Sequence, residues 1–457
     1  MTGDLTRQVL DLVAKHAPGA EAEVTAETQT LALTRFANSF IHQNVADTTT
    51  TVRLRLHRDG RTSTGATTVT GAAGLQGLVE RTVAAGELLP VDAGWPGVTP
   101  PSEPTGDGNY DPATAEADPA ARAAVVRDFV DAAAGLVTAG YCRTVGVQAS
   151  FANTAGHQVA GRTSGVAVDA IARTTGSDGV ARTAGVRLDD VDGAALGAVA
   201  AAKARAGEDP VDLEPGQYEV ILEPSAAIDL VTQLGLYGFN GKAVAEHRSF
   251  VELGATQFDE SISVVDDPTG PGATALPFDA DGTPRRRLDL VRDGVSVNLA
   301  HDRRTAKELG ATTTGHAWPM SAVFGPFPST AVIEPGTAAT AALDGRPVSH
   351  PAVAGLLSGV KRGLLVSDLW YTRVLDPRQV VLTGLTRNGV WLVENGEIVR
   401  PVTNLRFTQS YPRALGPGQV RAVGAETAMV PYNWGVMCVG APALHLVSWN
   451  FTGGSAG

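Results

Sequence analysis

None of the nine histidines in this chain of 457 residues is followed by glutamate, and no two stand within a helical turn of each other. A zincin helix needs two histidines one turn apart with a glutamate between them, so that all three point at one ion. That helical motif is excluded. No Gly-x-x-x-x-Gly-Lys-[Ser/Thr] loop occurs, and the one Gly-x-Ser-x-Gly match, Gly453-Gly-Ser-Ala-Gly457, stands outside any predicted strand-to-helix turn, which leaves serine-hydrolase and P-loop readings without support. Two cysteines, Cys142 and Cys438, are too few for a disulfide framework or a zinc ribbon. Basic residues are also short: 36 Lys and Arg face 48 Asp and Glu, a net charge of -12. A general nucleic-acid binder needs a basic face for phosphates, and an anionic membrane surface repels the same charge. The run Arg285-Arg286-Arg287 reads as a solvated strand end. No apolar run approaches about 18 residues, the length a spanning helix requires. Residues 1–15 carry Asp4 and Asp11 and lack a long apolar core, so no signal peptide is expected. The expectation is a soluble cytoplasmic protein with no nucleic-acid and no membrane partner.

What the chain does have is length and a β-forming composition. It is long enough for two or three domains, and 43% hydrophobic residues can fill a sizeable core. Charged residues are only 18% and aromatics 5%, whereas 52 glycines and many β-branched residues favour strands joined by tight turns. Leu5, Val9, Leu12 and Val13 fall at helical spacing, so residues 4–16 are expected to form an amphipathic helix, stopped by Pro18-Gly19. Residues 22–41 read as extended. Residues 49–58 alternate, and Asp59-Gly60 closes a hairpin with 61–70. Helices are predicted over 72–88, 117–138 and 191–206, with a Pro/Gly-rich loop over 90–112 and an antiparallel meander over 141–187. Gly207-Glu-Asp-Pro210 marks the expected boundary between domains 1–210 and 211–457. The fold class is α+β: an N-terminal layer of antiparallel strands with helices, followed by a β-rich C-terminal domain.

The second half opens with an apolar strand, Gln217–Leu222, and an apolar helix from Ser225 to about Gly241. Strands are expected at 261–265, 287–291, 295–299 and 331–334, then a short helix at 351–361, then strands at 364–374, 380–385, 389–393 and 397–402. Polar clusters on this scaffold carry the candidate chemistry. Glu246-His247 is the adjacent acid–imidazole pair of the central stretch. It reads either as a general base or as a helix end. Asp279 and Asp281 read either as paired catalytic carboxylates or as turn residues beside Gly282. A metal site assembled from His247, His301 and His316 competes with the simpler reading of surface or hydrogen-bonded histidines. Cys142 and Cys438 read as buried structural thiols.

Several segments follow one another in a specific order. They are Leu31–Ser39, Phe278-Asp-Ala-Asp-Gly-Thr283, Val291-Arg-Asp-Gly-Val295, Thr305-Ala-x-x-Leu-Gly310 with Thr314-Gly-His316, and Trp391-Leu-Val-Glu-Asn-Gly-Glu-Ile398. Together they resemble the TldD/PmbA family of peptidase-like proteins, and within it the PmbA (TldE) branch. Asp281 stands where that family's loop has glutamate. The family's catalytic subunit resembles a metalloprotease, with His-Glu-x-x-x-His on a helix and a C-terminal cysteine as a further ligand. The matching helix here lies within 225–241, where no histidine occurs and no acid follows Asp229. The cysteine position falls near Ala428.

The resemblance therefore implies a chain with no catalytic residue and no cofactor or metal of its own. It implies a metal-bearing TldD-like subunit as partner in a heterodimer, with zinc in that partner, and an extended or unfolded peptide as the substrate. Trp318, Phe324, Phe327 and Trp434, with Trp449, are the interface candidates, against a competing reading as core aromatics. Two rival functions stay open. One is a self-contained hydrolase using Glu246, His247, Asp279 or Asp281. The other is a stand-alone peptide-binding protein.

Overall fold

The computed structural model describes residues 2–103, 105–338, 353–432 and 437–454. The first six strands are β1 (Glu21–Ala37), β2 (Phe40–Arg58), β3 (Arg61–Thr67), β4 (Val137–Asn153), β5 (Gln158–Arg173) and β6 (Asp178–Gly185). They form one antiparallel sheet in the order β3-β2-β1-β4-β5-β6. Side chains alternate across a strand, so Val24, Ala26, Val52 and Leu54 share one face. The helices Thr2–His16 and Ala72–Leu88 bury Val9, Val13, Leu75 and Leu78 against that face. Farther along it, Phe36, Cys142 and Val168 meet the helices Pro119–Ala132 and Gly193–Ala206. Glu23, its cross-strand partner Arg55, and Phe151 point the other way. On that opposite face Ala149, Phe151 and Val159 pack against Phe278 from the second half of the chain.

The later strands are β7 (Gly216–Leu222), β8 (Val264–Asp266), β9 (Leu288–Arg292), β10 (Val295–Ser296), β11 (Ala331–Ile333), β12 (Arg362–Asp376) and β13 (Val381–Glu394). They continue as β14 (Glu397–Pro401), β15 (Leu405–Ser410), β16 (Val420–Val423), β17 (Ala428–Pro431), β18 (Cys438–Ala441) and β19 (Leu444–Gly454). Five of them close on themselves in the order β12-β7-β19-β15-β13, because β13 returns to pair with β12. Such closure leaves no free edge within the ring. β14 extends from β13, and β16 from β19. A second sheet runs β10-β9-β8-β11-β18-β17. The helix Pro224–Gln233 lies between the two, touching β7 and β12 on one side and β11, β17 and β18 on the other. The architecture is thus α+β with a β-rich second half. No helix among the described residues is long and apolar enough to cross a membrane.

Several elements differ from the sequence expectation. The helix predicted over 117–138 ends at Ala132, because Ala134 and Gly135 take positive φ (52° and 82°) and Val137 starts β4. The two strands predicted at 380–385 and 389–393 are one strand, β13. Asn388 and Gly389, at φ 58° and 130°, absorb a bulge where the register against β12 shifts. β2 begins at Phe40 rather than at residue 49. Its first nine residues are mostly exposed and carry no alternation, but β1 pairs with them along its whole length. Of the helix expected at 351–361, the turn Ala354–Leu357 forms, and residues 351–352 lie outside the described residues.

Gly282 shows how closely the two halves approach. It takes φ +74°, and a Cβ there would stand 2.3 Å from the Phe151 ring. Left-handed backbone costs an L-residue about 1–2 kcal/mol, and overpacking costs about 1–3 kcal/mol. Gly282→Ala is therefore expected to lower stability by about 2–5 kcal/mol, read as a lower urea midpoint. A variant with an unshifted midpoint would mean that this loop is not clamped against β4.

Candidate functional site

The helix that follows β7 is buried at every position except Ser225. Such a helix must be apolar all round, and Ala226, Ala227, Ile228, Leu230 and Val231 meet that demand. Asp229, Thr232 and Gln233 do not, so each needs an internal partner. Thr232 donates to the Ile228 carbonyl at 2.9 Å. Asp229 accepts from the Tyr411 hydroxyl at 2.5 Å, from Thr372 Oγ1 at 3.2 Å and from Gln233 Nε2 at 3.3 Å. The Tyr432 hydroxyl stands 3.5 Å from the same carboxylate. Burial pushes the Asp229 carboxyl above its ordinary range, against the opposing pull of those hydrogen bonds. Burial and then the Asp229 charge push the Tyr411 phenol well up.

The apolar helix expected from Ser225 to Gly241 is in three pieces. Helix Pro224–Gln233 runs into a π turn, Leu234–Gly238, and a short helix, Gly241–Ala245, follows. Glycines allow the close approach at this turn: a Cβ on Gly238 would stand 2.6 Å from the Phe250 ring. Asn240 caps the last piece by accepting from the Lys242 and Ala243 amides. Directly after it come Glu246, His247 and Arg248, all exposed. Glu246 pairs with Arg248, and His247 sits at φ 55°. This pair closes a helix end.

Asp279 and Asp281 lie elsewhere and are buried. Asp279 accepts from the Asp281 and Thr283 amides at 2.9 and 2.8 Å and from the Ala317 amide at 2.9 Å. It brackets its own turn. Burial and then the neighbouring Asp281 push its carboxyl well up. Asp281 accepts from Arg55 Nη2 at 2.6 Å, and the same guanidinium also pairs with Glu23. Thr99 Oγ1 donates to the Asp281 carbonyl at 2.5 Å, and His157 Nε2 stands 2.7 Å from the Gly282 carbonyl oxygen. These contacts tie the loop to the N-terminal sheet. Of the four residues of the self-contained hydrolase reading, Glu246 and His247 are thus exposed at a helix end while Asp279 and Asp281 are buried, and among the described residues no hydrogen bond or ion pair joins the two pairs.

The three-histidine metal set is corrected. His316 uses Nδ1 on Thr314 at 2.8 Å and Nε2 on Asp266 at 3.1 Å, His301 is buried with Nδ1 3.3 Å from Thr305, and His247 is exposed. Burial opposes ionisation of Asp266, but Arg285 and His316 outweigh it and hold the carboxyl far below its usual range. Both thiols are buried, and burial pushes Cys142 up to about 12.

Among the interface candidates, Phe327 (4% exposed) and Trp449 (0%) are core residues, which corrects their reading as surface anchors. Trp449 packs at tilted angles against the rings of Phe407 and Tyr411, and Phe327 packs on Trp318. Trp318 is half-buried, and Phe324 is exposed at 46% beside Val323 and Met320. Trp434 lies outside the described residues.

A family model for the PmbA/TldA metallopeptidase C-terminal domain matches residues 215–453, more than half of the chain. The chain belongs to the TldD/PmbA family. TldE from Thermococcus kodakarensis shares its fold at TM-score 0.83 and 16% identity, over 99% of both chains. A Thermotoga maritima protein, described as a candidate modulator of a DNA gyrase, matches at TM-score 0.83 and 18% identity, over 99% of this chain and 100% of that one. An Archaeoglobus fulgidus protein named a metalloprotease is 32% identical over 115 residues, which are 22% of this chain and 26% of its own length. A Synechocystis metalloprotease is 23% identical over 202 residues, 43% of this chain and 40% of the relative. The matched stretch thus spans about a quarter of the Archaeoglobus relative and less than half of the Synechocystis one.

The TldD/PmbA name implies a metal, so the donors on the central helix matter. They do not fit one. The helix offers a single carboxylate, already bonded to Tyr411, Thr372 and Gln233. β17, which starts at Ala428, packs on this helix with no thiol at that position. Among the described residues no group of three or more His, Cys, Asp and Glu side chains could hold an ion. Sequence reasoning missed Tyr411, Tyr432 and Thr372 as partners of Asp229. The one available signal was a lone acid in an otherwise apolar helix.

A carboxyl raised by burial stabilises the fold in its neutral form. That contribution is complete below the ordinary pKa of about 3.9 and is lost as pH rises through the raised one. Asp229→Asn removes the titration. The variant is therefore expected to gain stability relative to the parent as pH rises from about 4, measured by urea unfolding at several pH values. Parallel stability curves would show that Asp229 is not a buried titrating acid.

Proposed function

We propose that this chain is the subunit without a metal site in a two-chain TldD/PmbA-type peptidase of the cytoplasm. A metal-bearing relative supplies zinc and cleaves an extended or unfolded peptide. The observation that carries this reading is the central helix, whose one carboxylate, Asp229, is committed by hydrogen bonds to Tyr411, Thr372 and Gln233. The scaffold around that helix is nonetheless the family's, over 215–453. Fold-level likeness to TldE over 99% of both chains supports the same assignment. In this reading Gly207–Pro210 separates two domains, and the chain contributes walls rather than chemistry.

Walls require a fitted surface. The short helix Ser321–Phe324 has no buried residue, and Met320, Val323 and Phe324 are exposed together at 44%, 61% and 46%. Lys242 holds this segment by donating to the Ala322 and Val323 carbonyls. Apolar anchors on a held backbone suit the core of an interface.

The purified chain, mixed with a metal-bearing TldD-type relative from the same cell, is expected to co-elute with it on size exclusion and to be required for peptide cleavage. Phe324→Asp should leave the chain folded, because Phe324 is exposed, while weakening the complex by about 2 kcal/mol or more. Peptidase activity should fall with it. An unchanged complex would remove this patch from the interface. No complex with the parent chain would sink the two-chain reading.

A further inference from the structure

Strand β13 has one buried side and one open side. Leu382, Gly384 and Thr386 are buried, as are Leu405 and Phe407 in β15. Side chains alternate along a strand, so Thr383, Leu385 and Arg387 of β13 share the open side with Arg406 and Thr408 of β15. The register brings β12 to the same side. Trp370 stands opposite Leu385, which stands opposite Arg406, and Arg373 stands opposite Thr383, which stands opposite Thr408.

Arg373, Arg387 and Arg406 are all exposed. Arg387 lies over the Trp370 ring, 4.6 Å from its centroid, and Arg373 over the Tyr371 ring at 4.5 Å. Arg373 also donates Nη1 to the Thr372 carbonyl at 2.8 Å. Among the described residues, none of the three guanidinium groups pairs with an acid. The nearby acids are used otherwise. Asp368, opposite Arg387, is buried and bonded to Arg182 and Asn388. Asp376 accepts from the Arg378 and Gln379 amides and brackets the turn at the hairpin end. Arg406 has Gly453 as its neighbour on β19, so no side chain shields it on that flank.

The backbone is strained beside these cations. β12 carries an extra residue between Trp370 and Arg373, and Tyr371 takes φ 56°. Left-handed backbone is an outlier for a bulky side chain, and such strain concentrates at ligand contacts. The bulge leaves Tyr371 64% exposed and turns Thr372 to Asp229. Trp, Tyr and Arg are the residues that dominate binding at protein interfaces. Three unpaired cations on one face, in a chain whose net charge is -12, call for a partner of negative charge. A nucleic acid fits this demand less well, because a polyanion running beyond the three arginines meets a negatively charged chain. A short acidic segment ends where the arginines end.

We propose that this face of β12, β13 and β15 docks an acidic segment of another polypeptide. Its carboxylates reach Arg387, Arg406 and Arg373, and an apolar side chain between them lies on Trp370 and Leu385. The rows of Arg387 and Arg373 are four residues apart along β13, about 13 Å, so acids at that spacing in an extended segment match them. The face belongs to other elements than the Met320–Phe324 patch, and its test needs no metal-bearing relative.

Fluorescence anisotropy with the full chain and labelled probes tests it. One probe is a short peptide with glutamate at every fourth position, leucine midway between and threonine elsewhere. The second has glutamine for each glutamate, and the third is a short oligothymidylate. The glutamate peptide is expected to bind at low salt and to weaken as chloride is added, and the glutamine peptide to bind about tenfold or more weakly. Arg387→Gln and Arg406→Gln together should also weaken binding about tenfold or more. Arg387→Lys keeps the charge but not the planar stack on Trp370, and should weaken it severalfold. Arg173→Gln removes an exposed arginine that pairs with Asp178 on the N-terminal sheet, and should bind as the parent does. Each of these side chains is exposed, so the variants keep the fold. The proposal is overturned by a glutamate peptide that does not bind, or by a glutamine peptide that binds as tightly. Parental affinity in the double variant overturns it too, as does an Arg173→Gln loss equal to that of the double variant. Tighter binding of oligothymidylate than of the glutamate peptide would assign the face to nucleic acid instead.

Discussion

A helix with no wet side constrains everything packed against it. Pro224–Gln233 is held between a closed barrel and a second sheet, so past Ser225 its side chains must be satisfied internally. Its entry shows the consequence. Glu223 immediately precedes it and is buried with Lys203, whose Nζ lies 2.5 Å away, and with the Ser367 hydroxyl at 2.8 Å. A carboxylate at a helix N-terminus also meets the positive end of the backbone dipole. Buried ion pairs of this kind contribute little net stability but penalise any packing that separates them. Lys203 comes from the helix Gly193–Ala206, and Ser367 from β12. One carboxylate therefore fixes the N-terminal layer, the barrel and the buried helix relative to one another.

The same logic governs the second contact between the halves. Glu23 and Arg55 are cross-strand partners on the sheet face away from the helices, and Arg55 reaches across to Asp281. Burial pushes Glu23 up while Arg55 pulls it down. Glu23 already pairs with Arg55, and Asp281 brings the same guanidinium a second carboxylate from the loop 277–283 across the seam. This gives a physical reason for an acid at the position where the family resemblance expects glutamate. Farther along the face, Arg182 bonds Asp169 and Asp368, joining β6 to β12. The halves are thus joined by arginines whose acids come from both sides.

Local chemistry was legible in the sequence, and distant pairing was not. The Asp59-Gly60 turn and the alternation through Val52, Leu54 and Leu56 place the β2–β3 hairpin as observed, and the predicted helix 72–88 is found with those bounds. Residues 40–48 gave no signal because neither face is buried, so their strand exists only through pairing with β1. The π turn at Leu234–Gly238 was hidden for the opposite reason: an apolar run reads as helix whatever its pitch. Asp279 and Asp281 were visible as a pair, but their use was not. The partner of Asp281 is 226 residues away in the chain, and no local pattern encodes that distance. Phe327 and Trp449 illustrate the ambiguity of aromatics, since core and interface demand the same side chains.

Sequence identities of 16% and 18% accompany TM-scores of 0.83. That contrast shows what the fold requires. Barrel closure and a two-sided helix need apolar volume at given positions and a partner for each buried polar group, but not particular residues. A helix held by packing on both sides does not depend on an ion for its place. Polar positions on it are then free to vary, provided they change together. Asp229 without Tyr411 and Thr372 would be a buried charge with too few donors, and Tyr411 without Asp229 would be a buried hydroxyl with no acceptor. The Asp229 cluster is one self-consistent solution to that constraint, joining Asp229 and Gln233 of the helix to Thr372 and Tyr411.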